Sequence, residues 1–205
     1  MITINSKYIV ELFGTCALTL LVLVGLSTHN PFTTPVLAAL TLGLLVYTVG
    51  HVSGAHFNPA VTLGAWSIGK IAKADVGPYI VAQLLGAGLA RIVAAGLVSD
   101  LVLILPTMDR LSNTPMVALA EGLGALLFGF GIASVVYGKT ARDLHGVVIG
   151  VSLLLGIMIA STVSNGVLNP AVAFGIGSLN FAYSVGPIIG MTLGMWGYKK
   201  LCSEM

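Results

Sequence analysis

Two asparagines, Asn58 and Asn169, each followed by Pro-Ala-Val, are the residues of this sequence best placed to do chemistry, and that chemistry is hydrogen bonding. An asparagine amide offers two N–H donors and one carbonyl acceptor without a charge. The copies Asn58-Pro59-Ala60-Val61 and Asn169-Pro170-Ala171-Val172 lie 111 residues apart in a chain of 205. Their surroundings recur in register: Val52-Ser53 with Val163-Ser164, Gly64 with Gly175, and Ser67 with Ser178. Glu11 and Glu121 repeat at an offset of 110, and Val76-Gly77-Pro78 returns as Val185-Gly186-Pro187 at 109. One nearly constant offset marks an internal duplication. The expected organisation is one domain over 1–205, with repeats at 1–105 and 106–205.

The elements that must position these amides are set by composition. Hydrophobic residues make up 57% of the chain and charged ones 8%, against roughly 25% charged in soluble domains. Apolar tracts run over 7–28, 34–51, 77–98, 115–137, 144–163 and 184–200, each near the roughly 20 residues that cross a bilayer as helix. Six spans in a duplicated chain give three per half, so the second half inserts upside down relative to the first. Lys7, Lys70, Lys73, Lys139, Arg142, Lys199 and Lys200 gather at the termini and in alternate connections, which predicts both termini on the cytoplasmic side of a cell membrane. The opposite face carries only Arg110 outside the spans.

The first tract is long, carries Glu11 and ends without a small-residue cleavage site, so it reads as a span and not as a signal peptide. Cys16 inside that span and Cys202 near the other end are placed too far apart to form a disulfide. A net charge of +2 without a long basic run gives no footing for nucleic acid. No Ser-His-Asp pattern, metal-ligand cluster or phosphate-cradling glycine loop is present in credible context, so neither an enzyme nor a cofactor is expected. The glycines fall mostly within spans, as in Gly122, Gly124, Gly129 and Gly131 or Gly186, Gly190 and Gly194, where small residues let helices approach.

Asparagine is a strong helix N-cap and proline is favoured at the first helical position. Each Asn-Pro-Ala therefore opens a helix, and the stretches 59–69 and 170–179 are too short to span. Two half-helices entering from opposite faces would bring their positive ends together at the midplane, where irregular backbone is tolerated if it lines a cavity. The amides of Asn58 and Asn169 would then donate to a passing oxygen. Carbonyls of Gly54, Ala55, His56 and Phe57 on one loop, and of Asn165, Gly166, Val167 and Leu168 on the other, would form a line of acceptors. Such a pore raises the energy of cations, protons included.

Over essentially its whole length the chain resembles the aquaporin family, glycerol facilitators among them. The resemblance rests on Gly50-His51-Val52-Ser53-Gly54-Ala55-His56-Phe57-Asn58-Pro59-Ala60-Val61-Thr62, on Glu11-Leu12-Phe13-Gly14-Thr15, on Ala82-Gln83-Leu84-Leu85-Gly86-Ala87 and on Asn169-Pro170-Ala171. It implies an all-α membrane fold of six transmembrane helices and two re-entrant half-helices, assembled as a homotetramer with one pore per protomer. It also implies that Glu11 and Glu121 hydrogen-bond the loop backbones instead of relaying protons. His51 and His56 become packing and loop-bracing residues rather than metal ligands or pH sensors.

The sequence departs from the family where relatives place a selectivity arginine, one residue after the second Asn-Pro-Ala. Val172 stands there, followed by Ala173. Counting from the motifs, the other constriction positions fall on Ala38, Ile157 and Gly166. That quartet has no charge, ring or side-chain hydrogen-bonding group, which predicts a wider filter that favours neutral, weakly hydrated solutes. The expected substrates are metalloid acids such as arsenous acid, or glycerol and urea, with water. The alternatives are an ordinary water channel, a non-conducting junctional member, or an ion leak. Arg91, near the outer end of span three, either snorkels or pairs with Asp100 or Asp109, or else lends a charge to the outer vestibule.

Overall fold

A computed structural model describes residues 5–27, 33–98 and 113–202, and every regular element among them is helical. The long helices are α1 (Ser6–Leu26), α2 (Thr34–Ser53), α4 (Lys73–Leu97), α5 (Pro115–Val136), α6 (His145–Ala160) and α8 (Phe181–Cys202). The short ones are α3 (Pro59–Ser67) and α7 (Pro170–Ile176). A single 3-10 turn, Arg142–Leu144, leads into α6.

Five of the long helices have the length and apolarity to cross a membrane: α1, α2, α4, α5, and α6 together with its leading turn. The sixth, α8, has 22 residues and so the length, but Tyr183, Pro187, Tyr198, Lys199 and Lys200 make it less apolar. Large apolar side chains such as Phe13, Leu40, Leu85, Ile92, Phe181 and Leu193 face outward, as a lipid solvent requires.

Local chemistry accounts for the ends of these helices. Asn5 caps α1 by accepting from the Lys7 N–H, and Gly54 closes α2 in the left-handed region at φ 88°. Both α4 and α8 begin earlier than the apolar tracts, at Lys73 and Phe181 instead of 77 and 184. Pro78 and Pro187 therefore lie inside them. Each proline lacks the N–H that would bond the carbonyl four residues back, that of Ala74 or Tyr183, so one helical bond is left unmade in the second turn of each helix. At the other extreme, α6 stops at Ala160, before its tract ends at 163, because residues 161–164 turn back toward the interior. The Lys7 ammonium, 2.8 Å from Asp75, and the Tyr8 hydroxyl, which donates to the same carboxylate, tie α1 to the start of α4.

Glycine lets the helices approach backbone to backbone. A methyl group at Gly190 would strike the Gly122 carbonyl, and one at Gly194 the Leu126 carbonyl, so α8 lies directly on α5. A second face of α5 meets α6, where Gly124 and Gly156 oppose each other and Gly131 receives Ser152. Gly86 of α4 sits on the Leu12 carbonyl of α1 in the same way. Close approach of this kind maximises dispersion contact where no hydrophobic effect separates helix from lipid. The long helices enclose α3 and α7, whose Pro59, Ala60, Val61 and Thr62 and Pro170, Ala171, Val172 and Ala173 are all buried.

Candidate functional site where the two short helices meet

Asn58 and Asn169 cap α3 and α7, each from an extended backbone at φ −158° and −147°. Asn58 Oδ1 accepts from the Ala60 N–H at 2.8 Å, and Asn169 Oδ1 from the Ala171 and Val172 N–H groups at 3.0 and 3.3 Å. Each amide nitrogen then reaches into the opposite loop. Asn58 Nδ2 donates to the Leu168 carbonyl, and Asn169 Nδ2 to the Phe57 carbonyl, both at 2.9 Å. These reciprocal bonds hold α3 and α7 N-terminus to N-terminus. An amide NH2 has two hydrogens, so one donor on each asparagine is left over from the loop-to-loop bond.

The same bonds take up one lone pair on two carbonyls of the expected acceptor line. The carbonyls of Phe57 and Leu168 are engaged by the asparagines across the junction, and both residues are fully buried. Gly54, Ala55 and His56 line one cavity, and His56, Asn165, Gly166 and Val167 line the other.

The loops are held in costly conformations. Ala55, Phe57 and Leu168 have φ of 53°, 48° and 55°, the left-handed region that costs an L-residue about 1–2 kcal/mol. Buried carboxyls offset this. Glu11 Oε1 accepts from the Ser53 hydroxyl at 2.7 Å and the His56 N–H at 2.9 Å, while Oε2 accepts from the Phe57 N–H at 2.7 Å and Gln83 Nε2 at 2.8 Å. Glu121 Oε1 accepts from the Ser164 hydroxyl at 2.7 Å and the Val167 N–H at 3.0 Å, and Oε2 from the Leu168 N–H at 2.7 Å. Both glutamates are completely buried. Among the described residues these carboxyls accept from loop donors and from Gln83, a pattern of bracing.

Several braces were not singled out from the sequence. The Tyr79 hydroxyl donates to the Ser53 carbonyl at 2.8 Å, and the Tyr183 hydroxyl accepts from the Asn165 N–H at 2.9 Å. Gln83 Nε2 also donates to Thr62 Oγ1 at 2.9 Å, beside His56 Nδ1 at 3.1 Å. The repeat register would have found Ser53 and Ser164, which are 111 residues apart. The tyrosines break that register, at 104, so periodicity carries no signal for them.

The bracing expected of His51 is not seen. His51 is exposed and, with Lys70, Arg142 and His145, lines a cavity of about 540 Å³ that reaches inward to His56. It occupies the last turn of α2 and makes no hydrogen bond to the loop among the described residues. His56 lies edge-on to the Tyr79 ring at 5.2 Å and borders both cavities.

A second cavity, of about 240 Å³, lies on the other side of the asparagines. Asn58 and Asn169 both line it, together with Ala38, Ile157, Gly166 and Val172. The four positions counted from the motifs therefore border one cavity, contributed by α2, α6, the second loop and α7. The wall is less apolar than that quartet alone, because Thr34, Ser161, Asn165 and His56 also border it. Arg91 does not line it; its guanidinium lies against Gly177, just past the end of α7. Asp100 and Asp109, the carboxylates considered as its partners, fall outside the described residues. Both cysteines are free thiols, and no three of His, Cys, Asp or Glu among the described residues form a metal-binding group.

Comparison with known proteins agrees with this geometry. The model of the major intrinsic protein family matches residues 2–198. The chain belongs to that family. Aquaporin NIP1-1 of Zea mays is 33% identical over 214 residues, covering 96% of this chain and 74% of its own length. Aquaporin AqpM of Methanothermobacter thermautotrophicus is 29% identical over 252 residues, covering the whole of both. Among solved structures, the aquaglyceroporin from Plasmodium falciparum superposes with a TM-score of 0.67 at 23% identity, over 97% of this chain and 95% of that one, a likeness of fold. This member of the major intrinsic protein family is thus an aquaporin-type membrane channel, a passive conduit and not an enzyme.

Proposed function

We propose that this channel passes small neutral hydroxylated solutes, such as glycerol and the metalloid acids, along with water, through a filter formed by Ala38, Ile157, Gly166 and Val172. One observation carries the reading: those four residues and both capping asparagines border a single cavity of about 240 Å³ in which Val172 stands just beyond Ala171 on α7. Roughly 10–15 Å³ of such volume admits one water, so the cavity as a whole has room for a solute larger than water. Val172 adds no charge and no donor, which removes both an electrostatic barrier and a strong water ligand. The remaining N–H of each asparagine supplies an oriented donor for a solute hydroxyl.

The same reading takes the braced loops as the rigid midpoint of the pore and the cavity lined by His51, Lys70, Arg142 and His145 as its cytoplasmic mouth. The basic residues on that side support cytoplasmic termini. The outward-facing apolar side chains of α2 and α6, such as Leu40, Leu44, Val147 and Val151, are suited to a homotetramer in the bilayer.

Stopped-flow light scattering on proteoliposomes tests the proposal. Glycerol, boric acid and arsenous acid are expected to enter faster than into empty vesicles, while sodium and chloride are excluded. Osmotic water flux with complete exclusion of all three solutes would overturn the wide-filter reading and leave a water channel.

A further inference from the structure

The filter positions are apolar, yet a hydroxyl stands among them. Ser161 is the residue that closes α6, and its N–H donates to the Ile157 carbonyl at 2.8 Å. The hydroxyls of its neighbours are engaged: Thr162 Oγ1 donates to the Ile159 carbonyl at 2.9 Å and Ser164 Oγ to Glu121 Oε1 at 2.7 Å. Ser161 is different. It is exposed, borders the same cavity as Ile157, Gly166 and Val172, and its hydroxyl has no hydrogen-bond partner among the described residues.

Gly166 makes this possible. A methyl group there would collide with Ser161 Oγ and come within 2.9 Å of the Ile157 carbonyl. The backbone at Gly166 is left-handed, φ 61°, which also suits glycine. The space that a side chain at 166 would fill is instead entered by Ser161 from one turn beyond Ile157. The cavity wall is therefore mixed, with Ala38, Ile157 and Val172 apolar and the serine hydroxyl adding to the polar part that Thr34, Asn165 and His56 supply.

We infer that Ser161 is a specificity-determining residue of the filter, hydrogen-bonding the hydroxyl groups of a polyol or metalloid acid as they pass Val172. The inference rests on the proposed conduction of such solutes. A serine hydroxyl donates and accepts, which matches a solute O–H in either sense. Being neutral, it imposes no charge on the filter, so hydroxylated solutes gain over apolar ones without a return of cation exclusion by a fixed charge.

The test compares Ser161→Ala, Ser161→Thr and Gly166→Ala in proteoliposomes, with the glycerol-to-water permeability ratio as the readout. Loss of one hydrogen bond predicts a ratio about three- to tenfold lower for Ser161→Ala. Gly166→Ala, whose methyl displaces the hydroxyl, should lower it in the same direction, and Ser161→Thr should hold it near wild type. A ratio for Ser161→Ala within twofold of wild type overturns the inference. Wild-type channels that pass no glycerol overturn the underlying solute reading instead, and the position of Ser161 is still tested independently. With Cys16 and Cys202 changed to serine, Ser161→Cys should react with a membrane-impermeant methanethiosulfonate and lose water flux. A variant that stays unlabelled and unblocked refutes the placement.

Discussion

Replacing Glu11 by Gln is the most direct probe of how the first re-entrant loop is held. The carboxyl accepts four donors, two on each oxygen, at 2.7–2.9 Å. Glutamine keeps one acceptor oxygen and turns an NH2 toward the other two donors. One of those is a backbone N–H, of His56 or Phe57, which must lose its acceptor; the other, the Ser53 hydroxyl or the Gln83 amide, has to turn to accept from the new NH2. An unpaired buried donor costs about 1–3 kcal/mol. At roughly 2–4 °C per kcal/mol for a chain of this size, melting should fall by about 2–12 °C. The loop also loses support for the left-handed Ala55 and Phe57, so solute flux should drop with stability. Glu121→Gln should cost less, because Glu121 has no counterpart of Gln83 among its partners. Melting followed by tryptophan fluorescence in detergent, paired with proteoliposome flux, measures both variants. A Glu11→Gln channel melting within about 2 °C of wild type with unchanged flux, or a larger loss from Glu121→Gln, would refute the bracing role.

Other perturbations read the filter and the packing. Val172→Arg places a long cation in the cavity beside Gly166 and Ile157; glycerol flux is expected to fall at least tenfold relative to water, and an unchanged ratio in stopped-flow measurements would count against the filter assignment. Asn169→Leu removes both the α7 cap and the bond to the Phe57 carbonyl; loss of a cap alone costs about 1 kcal/mol, and the variant should lose solute and water flux together. Gly190→Ala should destabilise by about 1–3 kcal/mol or more through overpacking against the Gly122 carbonyl. Gly197→Ala meets nothing within 4 Å and should match or exceed wild-type stability by a few tenths to 1 kcal/mol; equal melting of the two glycine variants would contradict the close contact of α5 and α8.

Much of this molecule is local in sequence and could be read there. Apolar length places α1, α2, α4, α5 and α6, and the Asn-Pro pairs start α3 and α7, because cap chemistry and helix length depend on consecutive residues. The family was visible in motifs of the same kind. Helix starts at Lys73 and Phe181 were not, since a proline inside the first turns reads as a boundary until the preceding turn is seen to continue.

What only tertiary structure decided concerns groups brought together from distant segments. The motifs name Asn58 and Asn169, but that each amide donates to the other's loop, engaging the Phe57 and Leu168 carbonyls, is a fact of two chains of backbone meeting. The sequence marks Glu11 and Glu121; the fold shows which donors converge on them and that His51, one turn away, does not. Counting from a motif reaches Val172 and Gly166, yet it passes over Ser161, because its hydroxyl can enter that cavity only where a glycine elsewhere leaves room. Side-chain type is written in one dimension, and the space a side chain may occupy is a property of its neighbours in three.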